Sequence, residues 1–215
     1  MSNSNLVNYT RLSPNCNKPR NHAIDTITIH HMAGNLSVEQ CGAIFAPTSR
    51  QASSNYGIGS DGKVGLYVDE ANRSWCTSSG TNDHRAVTIE VANDEIGGSW
   101  HISDTALAKL IDLCVDICQR NGLKSLNYTG DRSGNLTMHK WFAATACPGP
   151  YLESKFPYIA QQVNARLDGT SSLSPQPKKH YRIQLGAFSV KSNADAYLAK
   201  VKAAGFTDAF IKYSE

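Results

Sequence analysis

The sequence predicts an α/β fold, a mixed central sheet flanked by helices, followed by a small C-terminal β-α-β module. Three observations predict it. Residues 26–31 (Thr-Ile-Thr-Ile-His-His) and 86–91 (Ala-Val-Thr-Ile-Glu-Val) are rich in β-branched side chains with period-two alternation, which marks strands. Long stretches with apolar residues at helical spacing accompany them, the longest opening at Ser103 and closing at Gly122. A polar stretch at 168–180, broken by Pro175 and Pro177, then sets off a last segment with its own strand and helix patterns. The expected division is a domain at 1–167, a linker at 168–180 and a half-sized module at 181–215.

Residues 1–25 are rich in Asn, Pro and Ser and read as an irregular arm leading into the first central strand. Ser37 with Gln40 three residues later forms a capping-box pattern, which predicts a helix to about Phe45, stopped by Pro47. Asp61-Gly62 between residues 55–60 and 63–68 is a hairpin signal, because glycine supplies the positive φ of a tight turn. In the strand at 86–91, Val87, Ile89 and Val91 share one face and Ala86, Thr88 and Glu90 the other. Ser103 caps the longest helix, whose stripe of Leu107, Leu110, Ile111, Cys114, Ile117 and Cys118 belongs to the core. A further helix is expected from about Pro157, a residue suited to a first turn, to Leu167. In the last segment, residues 181–188 alternate as a strand and Ser192 with Asp195 reads as a second capping box. The helix stripe there is Ala194, Tyr197, Leu198 and Val201; Gly205 ends it, and residues 206–213 can form another strand.

Composition narrows the class. At 215 residues, with 40% apolar and 18% charged side chains, the chain can bury a core and is not a disordered polymer. It has no run of eighteen apolar residues, so no membrane partner is expected. Met1-Ser2-Asn3-Ser4-Asn5-Leu6 lacks a basic start followed by an apolar core, so no secretory signal is expected. Six cysteines without framework spacing fit reduced thiols in a protein made in a cytoplasm. From Lys178 onward there are seven Lys/Arg against three Asp/Glu, net +4. The remaining 14 basic and 15 acidic residues leave net −1, so the overall +3 resides in the tail. A basic tail suits an anionic partner or simply a solvated helix face; without an aromatic platform or a known motif, nucleic acid is not expected.

The chemistry gathers at residues 137–150, Thr-Met-His-Lys-Trp-Phe-Ala-Ala-Thr-Ala-Cys-Pro-Gly-Pro. His139 and Cys147 are both zinc-type ligands, and the Pro148-Gly149-Pro150 turn can fix the angle of the thiolate. His30, at the end of the first central strand, is the best third donor. Three protein ligands leave a tetrahedral Zn2+ one open position, which is the catalytic pattern. His31 should point to the opposite strand face and act as support, and His84 could line a cleft. His22, His101 and His180 have no usable ligand spacing. Trp75 and Trp141 suit either a saccharide or peptide wall or core packing.

Ile29-His30-His31, Ser60-Asp61-Gly62-Lys63-Val64, Thr88-Ile89-Glu90-Val91 and His139 through Cys147-Pro148-Gly149, in that order, resemble the zinc-dependent N-acetylmuramoyl-L-alanine amidases. That family includes phage lysins and shares its fold with peptidoglycan recognition proteins. The resemblance covers roughly three quarters of the chain, to about Leu167. It implies a hydrolase that cuts the amide between N-acetylmuramic acid and L-alanine, with zinc polarising the carbonyl and a base moving the proton. Glu90, which ends its strand on the face opposite Ile89 and Val91, matches the glutamate many bacterial members use as that base. Thr145, two residues before Cys147, stands where members carry Lys or Thr near the developing oxyanion, although a turn hydroxyl bonded to its own backbone is equally natural. Some relatives place a tyrosine ahead of the Asp-Gly hairpin; here Ser54 and Asn55 hold that place, which shifts weight to Glu90.

Residues 181–188 (Tyr-Arg-Ile-Gln-Leu-Gly-Ala-Phe) with 202–206 (Lys-Ala-Ala-Gly-Phe) resemble a sporulation-related (SPOR) repeat. That resemblance implies binding to peptidoglycan, especially glycan strands lacking stem peptides. The usual domain has two such halves and one is found here, so pairing through the tail into a homodimer is expected. A recognition module that binds peptidoglycan without cutting it is the competing function; members that only bind generally lack the cysteine found at Cys147. The linker and tail suit a lysin acting on intact wall, reached from the cytoplasm by a release route other than a signal peptide.

Overall fold

The computed structural model describes residues 2–169, 186–207 and 209–211. It falls into two compact units, Met1–Ser172 and Leu173–Glu215. In the first, six strands form one mixed sheet. They are β1 (Tyr9–Thr10), β3 (Thr26–His31), β4 (Tyr56–Ile58), β5 (Val64–Leu66), β7 (Ala86–Val91) and β8 (Leu136–Met138), in the order β1-β5-β4-β7-β3-β8. The β4/β5 hairpin is antiparallel and every other pairing is parallel. A separate two-stranded ribbon joins β2 (Cys16–Asn17) to β6 (Arg73–Ser74).

The two central strands have the bounds their alternation predicts. Ile27, Ile29, Val87, Ile89 and Val91 are fully buried in the main core, packed with the stripes of α3 (Asp104–Asn121) and α4 (Pro150–Leu167). Each large aliphatic side chain buried this way contributes about 1.5–3 kcal/mol. The opposite face of β3 and β7 is also covered, by polar side chains. Thr28 Oγ1 lies 2.8 Å from Thr137 Oγ1 and accepts from Asn82 Nδ2 at 3.0 Å, while Thr88 Oγ1 meets Ser74 Oγ at 2.7 Å. This network is fully buried and satisfied, so it locks the two strands beneath the site in one register.

Capping chemistry places the helices. Ser37 and Gln40 form the predicted reciprocal box before α1 (Val38–Phe45). Ser103 accepts from Ala106 N at the start of α3, and Gly122, at φ +72°, closes it. The helix expected from Pro157 instead starts at Pro150, directly after Gly149 at φ +83°. Pro157 lies in its interior, where a missing N–H costs about 3 kcal/mol. Burial of Leu152, Phe156, Ile159 and Val163 on both sides of it carries the helix through.

The arm at 1–25 is more ordered than its composition suggests. It contributes β1 and β2, and Arg20 is buried with its guanidinium donating to the carbonyls of Glu70, Asn72, His84 and Ala86. Burial lowers that guanidinium to about 10. A short helix, α2 (Gly80–Arg85), precedes β7 and has no apolar periodicity to announce it.

In the second unit, α5 spans Lys191–Ala203 and ends before Gly205 at φ +101°. Ser192 lies inside its first turn and does not cap it; Asp195 pairs with Lys191 Nζ at 2.7 Å, an i,i+4 bridge that a capping carboxylate would forgo. Most of the expected linker and residues 181–185 of the first expected strand lie outside the described residues, whereas residues 186–188, 206–207 and 209–211 are described and form no strand, so the expected strand at 206–213 is not found over its described part.

Candidate active site

Register builds the site. β3 and β7 pair in parallel with His30 opposite Glu90, so both side chains leave the polar face of the sheet at its C-terminal edge. β8 pairs on the other side of β3, with Ile29 opposite Met138, and the next residue is His139. The rings of His30 and His139 come to 4.7 Å between centroids. From His139 a 3-10 turn (His139–Trp141) starts a loop closed by Lys140 N donating to Cys147 O at 3.1 Å. That closure returns Cys147 to the two histidines. The ligand atoms of His30, His139 and Cys147 all lie within 4.8 Å of one another.

The environment of these groups fits a cation. His30 is 1% exposed, and Nε2 of both His30 and His139 is buried with no hydrogen-bond partner. Burial holds both imidazoles below their ordinary range, in the neutral form that ligates. Cys147 Sγ accepts from the His31 amide at 3.4 Å, a dipole aimed at a sulfur that must lose its proton to ligate. In the protein alone burial pushes that thiol up. Isolated histidines with orphaned buried nitrogens are costly, and a divalent ion would satisfy them.

Glu90 stands beside this group. Its Oε1 is 4.0 Å from His30 Nδ1 and 3.9 Å from the thiol of Cys76, and its Oε2 is buried without a partner. Burial pushes its carboxyl up to about 8. Thr145 is exposed at the rim, and its hydroxyl oxygen accepts from Cys147 N at 3.2 Å. This is the turn hydroxyl bonded to its own backbone, as the alternative reading of Thr145 expected. Gly149 is required here, since a Cβ would meet Trp100 Cβ at 3.0 Å and the His31 ring at 3.3 Å.

A cleft of roughly 600 Å³ opens over these residues, lined by Glu90, His139, Cys147, Trp75 and Arg50, with the exposed Thr145 at its rim. His31 borders the cleft, supplies its amide to Cys147 and rests edge-on against Trp100. Trp75 is a wall residue, whereas Trp141 stacks on Tyr128 against the core. His84 is not in the cleft; its Nδ1 accepts from Asn21 N. Cys76 carried no signal in the sequence, because it lies in the irregular loop between β6 and α2.

The comparisons identify the family and the fold. A family profile described as N-acetylmuramoyl-L-alanine amidase matches residues 20–150, and a SPOR domain profile matches residues 177–215. A search of curated proteins returned no match. Among solved structures, the Staphylococcus aureus hydrolase AmiA in complex with its ligand is 16% identical with a TM-score of 0.59, over 74% of this chain and 81% of that one. The catalytic domain of XlyA is 14% identical with a TM-score of 0.55, over 73% and 99%. The N-acetylmuramoyl-L-alanine amidase LysCS from Clostridium intestinale URNW is 20% identical with a TM-score of 0.51, over 75% and 93%. At these identities the structures establish a common fold, and the family match spans more than half of the sequence. The chain belongs to the N-acetylmuramoyl-L-alanine amidase family, the peptidoglycan hydrolases, and carries a SPOR domain after its catalytic fold.

Proposed function

We propose that this amidase is a zinc-dependent wall lysin in which His30, His139 and Cys147 would hold the ion and Glu90 moves the proton. The convergence of those three ligand atoms within 4.8 Å, with Glu90 set beside them by strand register, carries the reading. Zinc, when bound, supplies a Lewis acid that polarises the scissile carbonyl and acidifies a water. Glu90, half-buried and with its buried Oε2 unpartnered, accepts the proton from the attacking water and delivers it to the departing amide nitrogen. The Thr145 hydroxyl donates to the carbonyl oxygen as charge builds on it, its own oxygen being held by Cys147 N. The polar network of Thr28, Thr88 and Thr137 keeps the floor rigid while this occurs.

The proposed division is a catalytic domain at 1–167, a linker at 168–180 and a wall-binding module at 181–215. Among the described residues no helix is long and apolar enough to cross a membrane. Action on the bacterial wall after synthesis in the cytoplasm remains part of this proposal. So does pairing of two chains through the tail. Support comes from Phe188, Val190, Tyr197, Phe206, Phe210 and Ile211, all exposed large apolar side chains of the second unit.

Incubation with purified sacculi, with and without a chelator, tests the function. Release of stem peptides with a new free L-alanine amino group, abolished by the chelator and restored by zinc, is expected. Release that persists undiminished in metal-free protein overturns the zinc assignment, and no release at all overturns the lysin.

A further inference from the structure

We propose that the cleft contains a second binding mode for a thiophilic divalent cation, formed by His30, Cys76 and Glu90. The proposal rests on His30 being a metal ligand, as above, and adds two residues that the hydrolytic set does not use as ligands. The ligand atoms of His30, Cys76 and Glu90 also lie within 4.8 Å of one another. Donors around a tetrahedral zinc stand roughly 3.3–3.8 Å apart, so the group needs only a small contraction to close on an ion. Cys76 Sγ is already 3.9 Å from Glu90 Oε1, and His30 Nδ1 is 4.0 Å from the same oxygen.

Independent observations mark this as a built site and not a stray thiol. His30 is almost completely buried with Nε2 unpartnered, and Glu90 has an unpartnered buried oxygen. All three residues are fixed from behind. His30 and Glu90 are neighbours in the two central strands. The loop bearing Cys76 is held by Asp83, fully buried, which accepts from the amides of Cys76 and Thr77 and from the Thr77 hydroxyl. Trp75, one residue earlier, is tied to Ser53 through both its amide and its carbonyl.

The chemistry follows from the donors. Imidazole, thiolate and carboxylate form a zinc- or cadmium-type set, with sulfur favouring the softer ion. Binding takes Cys76 as its thiolate and Glu90 as its carboxylate, with any protons they hold passing to solvent, and the set of His30, His139 and Cys147 likewise releases the thiol proton of Cys147. An ion seated there uses Glu90 as a ligand, so Glu90 can no longer carry a proton. The two sets share His30 and compete for it.

Cadmium–thiolate absorption reads the second set without reference to hydrolysis. Full-length Cys147→Ala, stripped with a chelator and desalted, is titrated with cadmium and compared with Cys147→Ala/Cys76→Ser. A saturating near-ultraviolet charge-transfer band in the single variant, lost in the double, is the expected result. Equal absorption in the two, or none in the single variant, overturns the proposal. His139→Ala with and without Cys76→Ser provides a second background should Cys147→Ala lack native circular dichroism; an unchanged band there overturns it equally. Absence of hydrolysis by the zinc-loaded wild-type chain bears on the lysin reading alone, since the cadmium band is read without substrate.

Discussion

Replacing Glu90 by glutamine isolates proton transfer from metal binding. The amide has the shape of the carboxylate, keeps an oxygen for the Cys76 thiol and removes no hydrogen bond from the backbone. Turnover on sacculi should fall by about a hundred- to ten-thousandfold, the usual contribution of a general acid–base group. That loss corresponds to about 2.7–5.4 kcal/mol in the barrier. Zinc content should stay at the wild-type level, since Glu90 is not one of the three proposed ligands. Stability supplies a second readout in chelator-treated protein. Burial raises the Glu90 carboxyl from 4.5 to about 8, so the folded chain keeps a proton that the unfolded chain has released. Stability from this group is fully present below pH 4.5 and is lost as pH rises through about 8, by up to roughly 5 kcal/mol. Urea unfolding of metal-free wild-type protein should therefore weaken between pH 5 and pH 9 by more than that of Glu90→Gln. A variant with near wild-type turnover, or identical pH dependence in the two proteins, refutes this placement of the proton.

Three further outcomes follow from the same structure. Arg120 holds the fully buried Glu70 through two nitrogens, at 2.6 and 2.9 Å, with Tyr56 as a third partner at 2.7 Å. Arg120→Met should cost about 3–5 kcal/mol in denaturant unfolding, because a buried carboxylate loses its counter-charge, and Glu70→Gln should restore part of it. Thr145→Val should lower turnover about a hundredfold while Thr145→Ser retains most of it, measured at saturating sacculi. Sedimentation of the full chain should show a dimer and of a chain ending at Leu167 a monomer; a monomeric full chain defeats pairing through the tail.

Much of the fold was legible because local chemistry and tertiary packing agree. The alternation in 26–31 and 86–91, the Ser37–Gln40 box, the Asp61-Gly62 turn and the Ser103 to Gly122 helix all reappear with their expected bounds or within two residues. Pro157 misled because a local rule about proline was overridden by the buried stripe that spans it. Ser192 misled because the helix starts one residue earlier, at Lys191 after Val190, which puts Ser192 inside the first turn. The burial of the polar face of β3 and β7 was not legible, since nothing in the sequence tells a solvated threonine from one sealed under Asn82 and Ser74. The proposed ligands were legible from residue type and order. Their convergence was not, because it depends on the β3/β7 and β3/β8 registers. Cys76 was invisible for the same reason: an irregular loop, held by Asp83, delivers it to Glu90.

Metal content after dialysis tests the proposed centre most directly. Wild-type protein and Glu90→Gln should each retain one zinc per chain by elemental analysis. Cys147→Ala and His139→Ala should retain none and lose lysis of sacculi, because each leaves only two of three ligands. A dialysed Cys147→Ala chain that keeps one zinc and lyses walls at the wild-type rate contradicts the assignment of His30, His139 and Cys147.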